Sequence, residues 1–217
     1  MTATQVARAT STDQLATIPM TVPMTRREFL YYIWAASMAL ITAESVGAII
    51  WFAIPRFRAG EFGGKFTIKL DQLPALDSGP AEYADGRFWL VNLSEQGAND
   101  PRTLPGYATA AGVVAHYKVC VHLGCLYKWV LTNSRFECPC HGSKYLLNGV
   151  RFDGPARRNL DRLLLQFVDA AGQVLAATKT GDTDGDPTVG LPIPVPANAA
   201  AIIVDTSKRI LGERNPR

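Results

Sequence analysis

A continuous apolar run near the amino terminus is the strongest constraint on how this chain folds. Residues 29–54 read FLYYIWAASMALITAESVGAIIWFAI, 26 residues with one formally charged side chain, Glu44. As a helix at about 1.5 Å per residue the run would be ~39 Å long, more than the ~30 Å hydrocarbon core of a bilayer. Tyrosine and tryptophan near its ends fit the two membrane interfaces. The run predicts a single-pass transmembrane anchor over 29–54. A buried helix of a soluble protein is disfavoured, because the remaining sequence is too strand-rich to surround it.

The residues before the run indicate how the chain is targeted for export. The segment TRREFL at 25–30 resembles a twin-arginine export signal, which a receptor reads on proteins exported in folded form. No small-residue cleavage site is obvious after the run, so we interpret it as an uncleaved signal anchor. This predicts a cytoplasmic tail at 1–28, an anchor in the bacterial plasma (inner) membrane, and the rest of the chain on the periplasmic side. The alternative for the arginine pair is an ordinary juxtamembrane anchor.

Glu44 is unusual because it lies near the middle of the predicted span. An ionised carboxylate at that depth costs at least about 2.5 kcal/mol unless it is paired or protonated. No second ionisable residue of the span accompanies it. We therefore expect a structural contact with a neighbouring helix rather than proton transfer.

The sequence after the span predicts a hinge followed by an all-β head. The glycines of RFRAGEFGGK, residues 56–65, are typical of a flexible connector, so we place a hinge over 55–65. Strand-like runs then recur at 66–70, 87–93, 112–119, 163–168 and 173–179, with turn signals at Asp85-Gly86 and Ala171-Gly172. The head is expected over 66–179. Residues 180–217 form a C-terminal extension, a candidate docking element, which is irregular at first and adds an edge strand at AIIVD, residues 201–205.

The charge balance argues against nucleic acid as a partner. The chain has 22 basic and 19 acidic residues, a formal net charge of +3. No long basic run is present that could neutralise several phosphates at once. We therefore predict no nucleic-acid partner.

All four cysteines and two of the three histidines fall in two short boxes. The first box is CVHLGC at 120–125, the second is CPCHGS at 138–143, and 12 residues separate them. Each box offers a thiolate and an imidazole within a few residues, so two loops could supply two sulfur and two nitrogen ligands to a metal centre. One further cysteine in each box is left over. A zinc site and a non-redox module with two disulfides are the alternatives.

With these boxes, the chain resembles the Rieske iron–sulfur proteins, specifically the membrane-anchored subunit of quinol-oxidising cytochrome bc complexes and their plastoquinol-oxidising relatives. The resemblance covers about residues 25–177. It implies a Rieske-type antiparallel sandwich head with a small cluster-binding subdomain, and one 2Fe-2S cluster. The implied ligands are two cysteines on one iron and two histidines on the other: Cys120, Cys138, His122 and His141. It also implies a disulfide between Cys125 and Cys140.

The resemblance assigns further residues around the cluster. Ser143 and Tyr145 match two hydroxyl donors that the family directs at sulfur atoms. Gly154 and Pro155 match a rigid loop that covers the cluster. Outside both boxes, the third histidine, His116, is predicted at a half-exposed strand position without a role.

Two residues depart from the family pattern. Arg157 stands where many members have a second proline, and Val121 replaces the threonine that is common between the first cysteine and histidine. Valine is nearly isosteric with threonine, so the packing is expected to survive while a hydroxyl contact is lost. Neither departure affects a ligand.

The resemblance also implies a function. The chain would be a one-electron carrier that accepts an electron from quinol with coupled proton release and passes it to a c-type cytochrome or cytochrome f, beside a cytochrome b-type subunit. It would be one subunit of an oxidoreductase, not a complete enzyme. His141 is implied as the quinol contact and proton acceptor, with Leu123 beside it. The alternative is the Rieske subunit of an exported molybdenum oxidase such as arsenite oxidase.

Overall fold

The computed structural model describes residues 24–54, 62–103 and 105–214. The Cα positions divide the chain into two compact units, Met1–Pro55 and Arg56–Arg217. The predicted cytoplasmic tail lies outside the described residues up to residue 23, and the predicted hinge lies outside them from residue 55 to residue 61.

The first unit contains one long helix, α1, Arg26–Ala53. It begins with a capping box, in which the Glu28 N–H donates to Thr25 Oγ1 at 3.3 Å and the Thr25 N–H donates to Glu28 Oε2 at 3.0 Å. It ends at Ile54, which has an extended conformation and precedes Pro55 in the sequence. No residue of α1 is buried, and α1 is the one helix in the described ranges that is long and apolar enough to cross a bilayer. The predicted apolar helix is confirmed, and the export signal stays a prediction.

The second unit is built mainly from β-strands, which confirms the predicted all-β head. A one-turn helix, α2 (Glu95–Ala98), follows the third strand. The strands of the described residues are β1 Lys65–Lys69, β2 Ala81–Tyr83, β3 Phe88–Leu93, β4 Gly112–Tyr117, β5 Lys128–Val130, β6 Arg135–Glu137, β7 Lys144–Tyr145, β8 Arg151–Asp153, β9 Arg162–Val168, β10 Val174–Ala177 and β11 Ala201–Ile210. The five predicted runs correspond to β1, β3, β4, β9 and β10.

The strands form two antiparallel sheets. The seven-stranded sheet has the order β1-β11-β9-β4-β3-β2, and β10 pairs with β9. The four-stranded sheet has the order β5-β6-β7-β8. The Ala171-Gly172 turn joins β9 to β10, where the Gly172 N–H donates to the Asp169 carbonyl at 3.0 Å, as predicted. Asp85 and Gly86 lie in the turn between β2 and β3, also as predicted.

The C-terminal segment differs from the sequence prediction. The sequence predicts an edge strand at AIIVD within an extension of the head, but β11 lies between β1 and β9, and β1 forms the edge. The reason is its alternating apolar side chains, since Ile202 and Val204 are fully buried in the core of the large sheet. Residues 201–210 are therefore part of the head.

The third and fourth strands form a wall between two hydrophobic cores. On one face, Phe88 and Leu90 join residues of β1, β4, β9 and β11 in the core of the large sheet. On the other face, Trp89 and Val91 pack with Phe136 of the small sheet. Strands buried on both faces read as continuous apolar runs, as both of these do. The small sheet, which carries the second box, is thus fixed to the large one.

The carboxyl end of the predicted hinge belongs to the head. The Gly63 N–H donates to Thr206 Oγ1 at 2.7 Å, and the Thr206 N–H donates to the Gly64 carbonyl at 3.0 Å. The Phe62 ring stacks on Tyr117 at a centroid distance of 5.8 Å. Lys65, the last predicted hinge residue, is already in β1.

Candidate metal centre

The two cysteine-histidine boxes form two loops with the same backbone hydrogen bonds. The first loop, 120–125, follows β4, and the second loop, 138–143, joins β6 to β7. In each, the first cysteine bonds the residue five positions later and the glycine four positions later. The four bonds run from Cys120 N–H to Cys125 O at 2.7 Å, Gly124 N–H to Cys120 O at 3.0 Å, Cys138 N–H to Ser143 O at 2.9 Å, and Gly142 N–H to Cys138 O at 3.0 Å. Both glycines have positive φ, +84° and +74°, which glycine adopts most readily.

One disulfide links the two loops. Cys125 and Cys140 are bonded, with their Cα atoms 6.5 Å apart, so the implied disulfide is confirmed. Cys120 and Cys138 are free thiols and are buried. This arrangement differs from the two-disulfide alternative. The sulfurs of Cys125, Cys138 and Cys140 lie within 4.8 Å of one another, but only Cys138 among them can offer a thiolate.

The two histidines of the boxes lie next to each other. The rings of His122 and His141 are 4.8 Å apart between centroids, with an angle of 83° between their planes. His122 is half-buried, and its buried Nδ1 has no hydrogen-bond partner among the described residues. An unpaired buried nitrogen is costly unless it binds something else, and a metal ion satisfies it. By residue type alone, two thiols and two imidazoles suit either a Rieske cluster or a tetrahedral zinc ion.

Backbone N–H groups surround the sulfur of Cys138. Burial raises the pKa of the Cys138 thiol, whereas hydrogen bonds from the backbone N–H groups of Cys140 and His141 act in the opposite direction. Such donors stabilise the thiolate that a metal ligand requires.

Tyr145 connects the two loops. It follows the second loop, yet its hydroxyl lies 3.2 Å from Sγ of Cys120 in the first. Burial, and then the contact with Cys120, raises the pKa of Tyr145, so the hydroxyl keeps its proton and can donate it to sulfur. The implied donor therefore has a cysteine sulfur within reach.

A short segment covers the second loop. Gly154 has a φ of +90°, and a Cβ on it would lie 2.4 Å from the Ser143 Cα. The Ala156 N–H donates to Ser143 Oγ at 3.2 Å, while Ser143 is fully buried and Pro155 is exposed. Of the two residues that depart from the family pattern, Arg157 is exposed, outside this contact.

The tip of the head is apolar and accessible. Leu123 is 70% exposed, beside His122, and His141 is exposed as well. The first loop rests on Val121, which packs against the core shared with the small sheet. The histidine side of the site thus faces outwards, and the cysteine side faces the core.

His116 is a correction to the sequence prediction. It is fully buried rather than half-exposed, and its Nε2 lies 3.1 Å from the Leu147 carbonyl, just after Tyr145. A Cβ on Gly149 would lie 2.4 Å from His116 Cε1, so glycine is required there. Burial, with a smaller contribution from Arg162, lowers the pKa of His116 to about 3, and the ring is neutral. The uninterrupted run GVVAHY was the signal for burial on both faces.

Comparison with known proteins separates the two metal assignments. Residues 94–168 match the Rieske [2Fe-2S] domain. A cytochrome b6-f complex iron-sulfur subunit of Synechococcus is 32% identical over 142 residues, 64% of this chain and 80% of the relative. The cytochrome b6-f complex iron-sulfur subunit 2 of Synechocystis is 29% identical over 181 residues, 80% of this chain and 97% of the relative. The crystal structure of a plasma membrane Rieske protein from Synechocystis covers 41% of this chain and 84% of its own, with 26% identity and a TM-score of 0.26.

The sequence relatives and the ligand arrangement agree. Two buried thiols, two adjacent imidazoles and the disulfide between the loops occupy the matched residues 94–168. The matched domain therefore implies a Rieske-type 2Fe-2S cluster rather than zinc as the group that this chain binds. The chain belongs to the family of Rieske iron–sulfur proteins that includes the iron-sulfur subunits of cytochrome b6-f complexes.

Proposed function

We propose that this chain is the one-electron carrier of a quinol:cytochrome c-type oxidoreductase. It accepts an electron from quinol, with coupled proton release, and passes it to a c-type cytochrome or cytochrome f subunit beside a cytochrome b-type subunit. The observation that carries the proposal is the asymmetry of the site, in which His141 is exposed while Cys120 and Cys138 are buried. An electron donor can therefore approach the site only from the histidine side.

The ligands determine what kind of carrier this is. When bound, the 2Fe-2S cluster supplies one-electron chemistry at a potential that two neutral imidazoles raise above that of four-thiolate clusters. Cys120 and Cys138 would hold one iron, and His122 and His141 would hold the other. The buried, unpaired Nδ1 of His122 supports Nδ1 as its ligating atom.

His141 is proposed as the proton acceptor. If His141 held the iron through Nδ1, its Nε2 would be left to accept the hydrogen bond and then the proton of a bound quinol. Leu123, exposed at the same tip, shapes an apolar contact around the quinol ring. If this is correct, the potential of the protein falls as the pH rises through the alkaline range. A potential independent of pH from 5 to 11 in direct voltammetry would contradict the proton role.

Two features support the proposed location of the head. The twin-arginine pattern and a disulfide, which persists in oxidising compartments, both support a head on the periplasmic side of a bacterial plasma membrane. The anchor is 29–54 and the tail is 1–28. Because Phe62 and the residues after it contact the head, residues 62–65 of the predicted hinge 55–65 belong to the head, and the rest of that prediction lies outside the described residues.

Purification through a tag on this chain tests the function. The tagged complex, extracted in mild detergent, should show the paramagnetic spectrum of a reduced Rieske cluster on adding quinol anaerobically, and a c-type cytochrome should then be reduced. Arsenite is the matched control donor, because the alternative molybdenum oxidase would use it. A cluster that arsenite reduces and quinol does not would overturn the proposal, as would a complex without a b-type subunit.

A further inference from the structure

Glu44 is a charged group inside the apolar part of α1 that the electron-carrier function does not use. It lies ~15 Å from the nearer end of the run 29–54, at about 1.5 Å per residue. A glutamate side chain is too short to reach the membrane surface from that depth, unlike lysine or arginine near a helix end. No hydrogen bond or ion pair of Glu44 occurs among residues 24–54, 62–103 and 105–214, and no residue of α1 is buried.

The face of α1 that carries Glu44 is suited to close helix packing. Gly47 and Ala48, three and four positions further on, lie on the same face, as does Ser37 seven positions before. A Cβ on Gly47 would meet nothing within 4 Å, so this side of the helix is open. Small residues at such positions let a second helix approach closely within a membrane.

The opposite face of α1 also carries small residues, Ala35 and Ala39, but it has no unsatisfied polar group among the described residues. Thr42 is polar, but its hydroxyl donates to the Met38 carbonyl at 2.7 Å within the same helix. Val46 is ~200° away from Glu44 around the helix. The unsatisfied polar group therefore marks one face only.

We propose that the Glu44 face, Ser37 with Glu44, Gly47 and Ala48, binds one transmembrane helix of another subunit, and that this helix carries a basic side chain at the depth of Glu44. Ionisable residues in membranes pair with one another, because pairing offsets the cost of removing each from water. A second copy of this chain is disfavoured as the occupant, since it would bring a second carboxylate to the first. The inference needs only the membrane anchor, not the electron-carrier function.

A composition-preserving variant tests the inference in native membranes. Glu44→Val combined with Val46→Glu keeps the charge and hydropathy of α1 but moves the carboxylate to the opposite face. We expect the share of tagged chain that co-elutes with a b-type or other integral subunit in mild detergent to fall roughly tenfold, which is ~1.4 kcal/mol. Glu44→Gln should weaken co-elution less, and Val46→Leu should leave it unchanged. The cluster spectrum of each variant confirms that the head is folded.

Crosslinking identifies the occupant. A photoreactive residue replacing Ala48 should attach to a helix with a lysine, arginine or histidine, and one replacing Val46 should not. Glu44→Lys together with reversal of that basic residue to glutamate should restore co-elution. The proposal fails if the double variant co-elutes like the natural chain, if the adduct is a second copy of this chain, or if the attached helix has no basic residue. Loss of quinol oxidation with the interface intact would instead count against the proposed function.

Discussion

The first and second loops have the same backbone turn in different surroundings. Both have the cysteine-x3-glycine spacing, the same pair of backbone bonds and a glycine with positive φ. The first loop ends in an exposed tip at Leu123, whereas Gly154 and Ala156 pack over the second. Local sequence therefore sets the turn, and the packing around each turn sets what a substitution there will do.

The largest expected effect separates the ligating cysteines from the linking ones. Cys120→Ser in the first loop and Cys138→Ser in the second should each abolish the cluster, because each removes a proposed iron ligand. Cys125→Ser is the matched control, because it also removes one sulfur from the first loop but only breaks the cross-link, at ~3 kcal/mol for a loop of this length. Iron content and the paramagnetic spectrum of each variant measure the difference. Equal and complete loss of iron from Cys125→Ser and Cys120→Ser would contradict this division.

The second expected effect concerns one glycine at each loop, Gly124 within the first and Gly154 in the segment that covers the second. Gly154→Ala places a Cβ 2.4 Å from the Ser143 Cα, a backbone atom that cannot move aside, in addition to a φ of +90°. Gly124→Ala in the first loop has a similar φ of +84° but nothing within 4 Å. We expect Gly124→Ala to cost about 1 kcal/mol of unfolding free energy, and Gly154→Ala about 3 kcal/mol or more. Urea unfolding measures both losses of unfolding free energy. Equal losses would show that the segment covering the second loop moves aside at little cost.

These loops also show how far sequence alone predicts such a site. The boxes and their spacing indicated a site of two sulfurs and two nitrogens, because metal chemistry restricts residue types strongly, and the four individual ligands came from the family resemblance and stay a prediction. The hydroxyl of Tyr145 reaching back to Cys120 depends on the pairing of β6 with β7, two strands of three and two residues, too short to leave an alternating pattern. The small sheet was therefore not predicted strand by strand.

The predicted hinge shows what sequence composition cannot predict. The glycines of GEFGGK indicate flexibility by composition, but Gly63 and Gly64 bond Thr206, a residue 142 positions or more away in the sequence. No local pattern reports a partner at that separation. Proline at Gly63 would thus disturb a head contact, because Gly63 donates its N–H and has a φ of +94°.

The third expected effect is a pH dependence of stability that arises at His116, which is buried next to Leu147, shortly after the second loop. The folded-state pKa of His116, about 3, lies below the ordinary value of 6.5, so the unfolded chain binds more protons between these values. Stability should therefore fall as the pH falls from 6.5 towards 3, by about 2 kcal/mol between pH 6.5 and 5. His116→Gln keeps an N–H donor for the Leu147 carbonyl and removes the titration. Urea unfolding at both pH values should show a smaller difference in that variant; an unchanged difference would assign the effect elsewhere.

The smallest expected effect is a change in reduction potential. It tests the contact that the Tyr145 hydroxyl makes with Cys120 of the first loop. Tyr145→Phe removes a donor 3.2 Å from Cys120 Sγ. A hydrogen bond to sulfur strengthens when the cluster gains negative charge, so its loss should lower the reduction potential. A bond worth ~1.4 kcal/mol corresponds to ~59 mV for one electron, and we expect a shift of tens of millivolts with the cluster intact.

Ser143→Ala sharpens the same test, because Ser143 Oγ also accepts the Ala156 N–H that holds the cover on the second loop. That variant should lower both the potential and the unfolding free energy, whereas Tyr145→Phe should move mainly the potential. Voltammetry and urea unfolding of the two variants, compared side by side, separate an effect on the reduction potential from an effect on the packing of the head. If both variants kept the natural potential, the hydroxyls would be structural, and the two loops would communicate only through the disulfide and the shared metal centre.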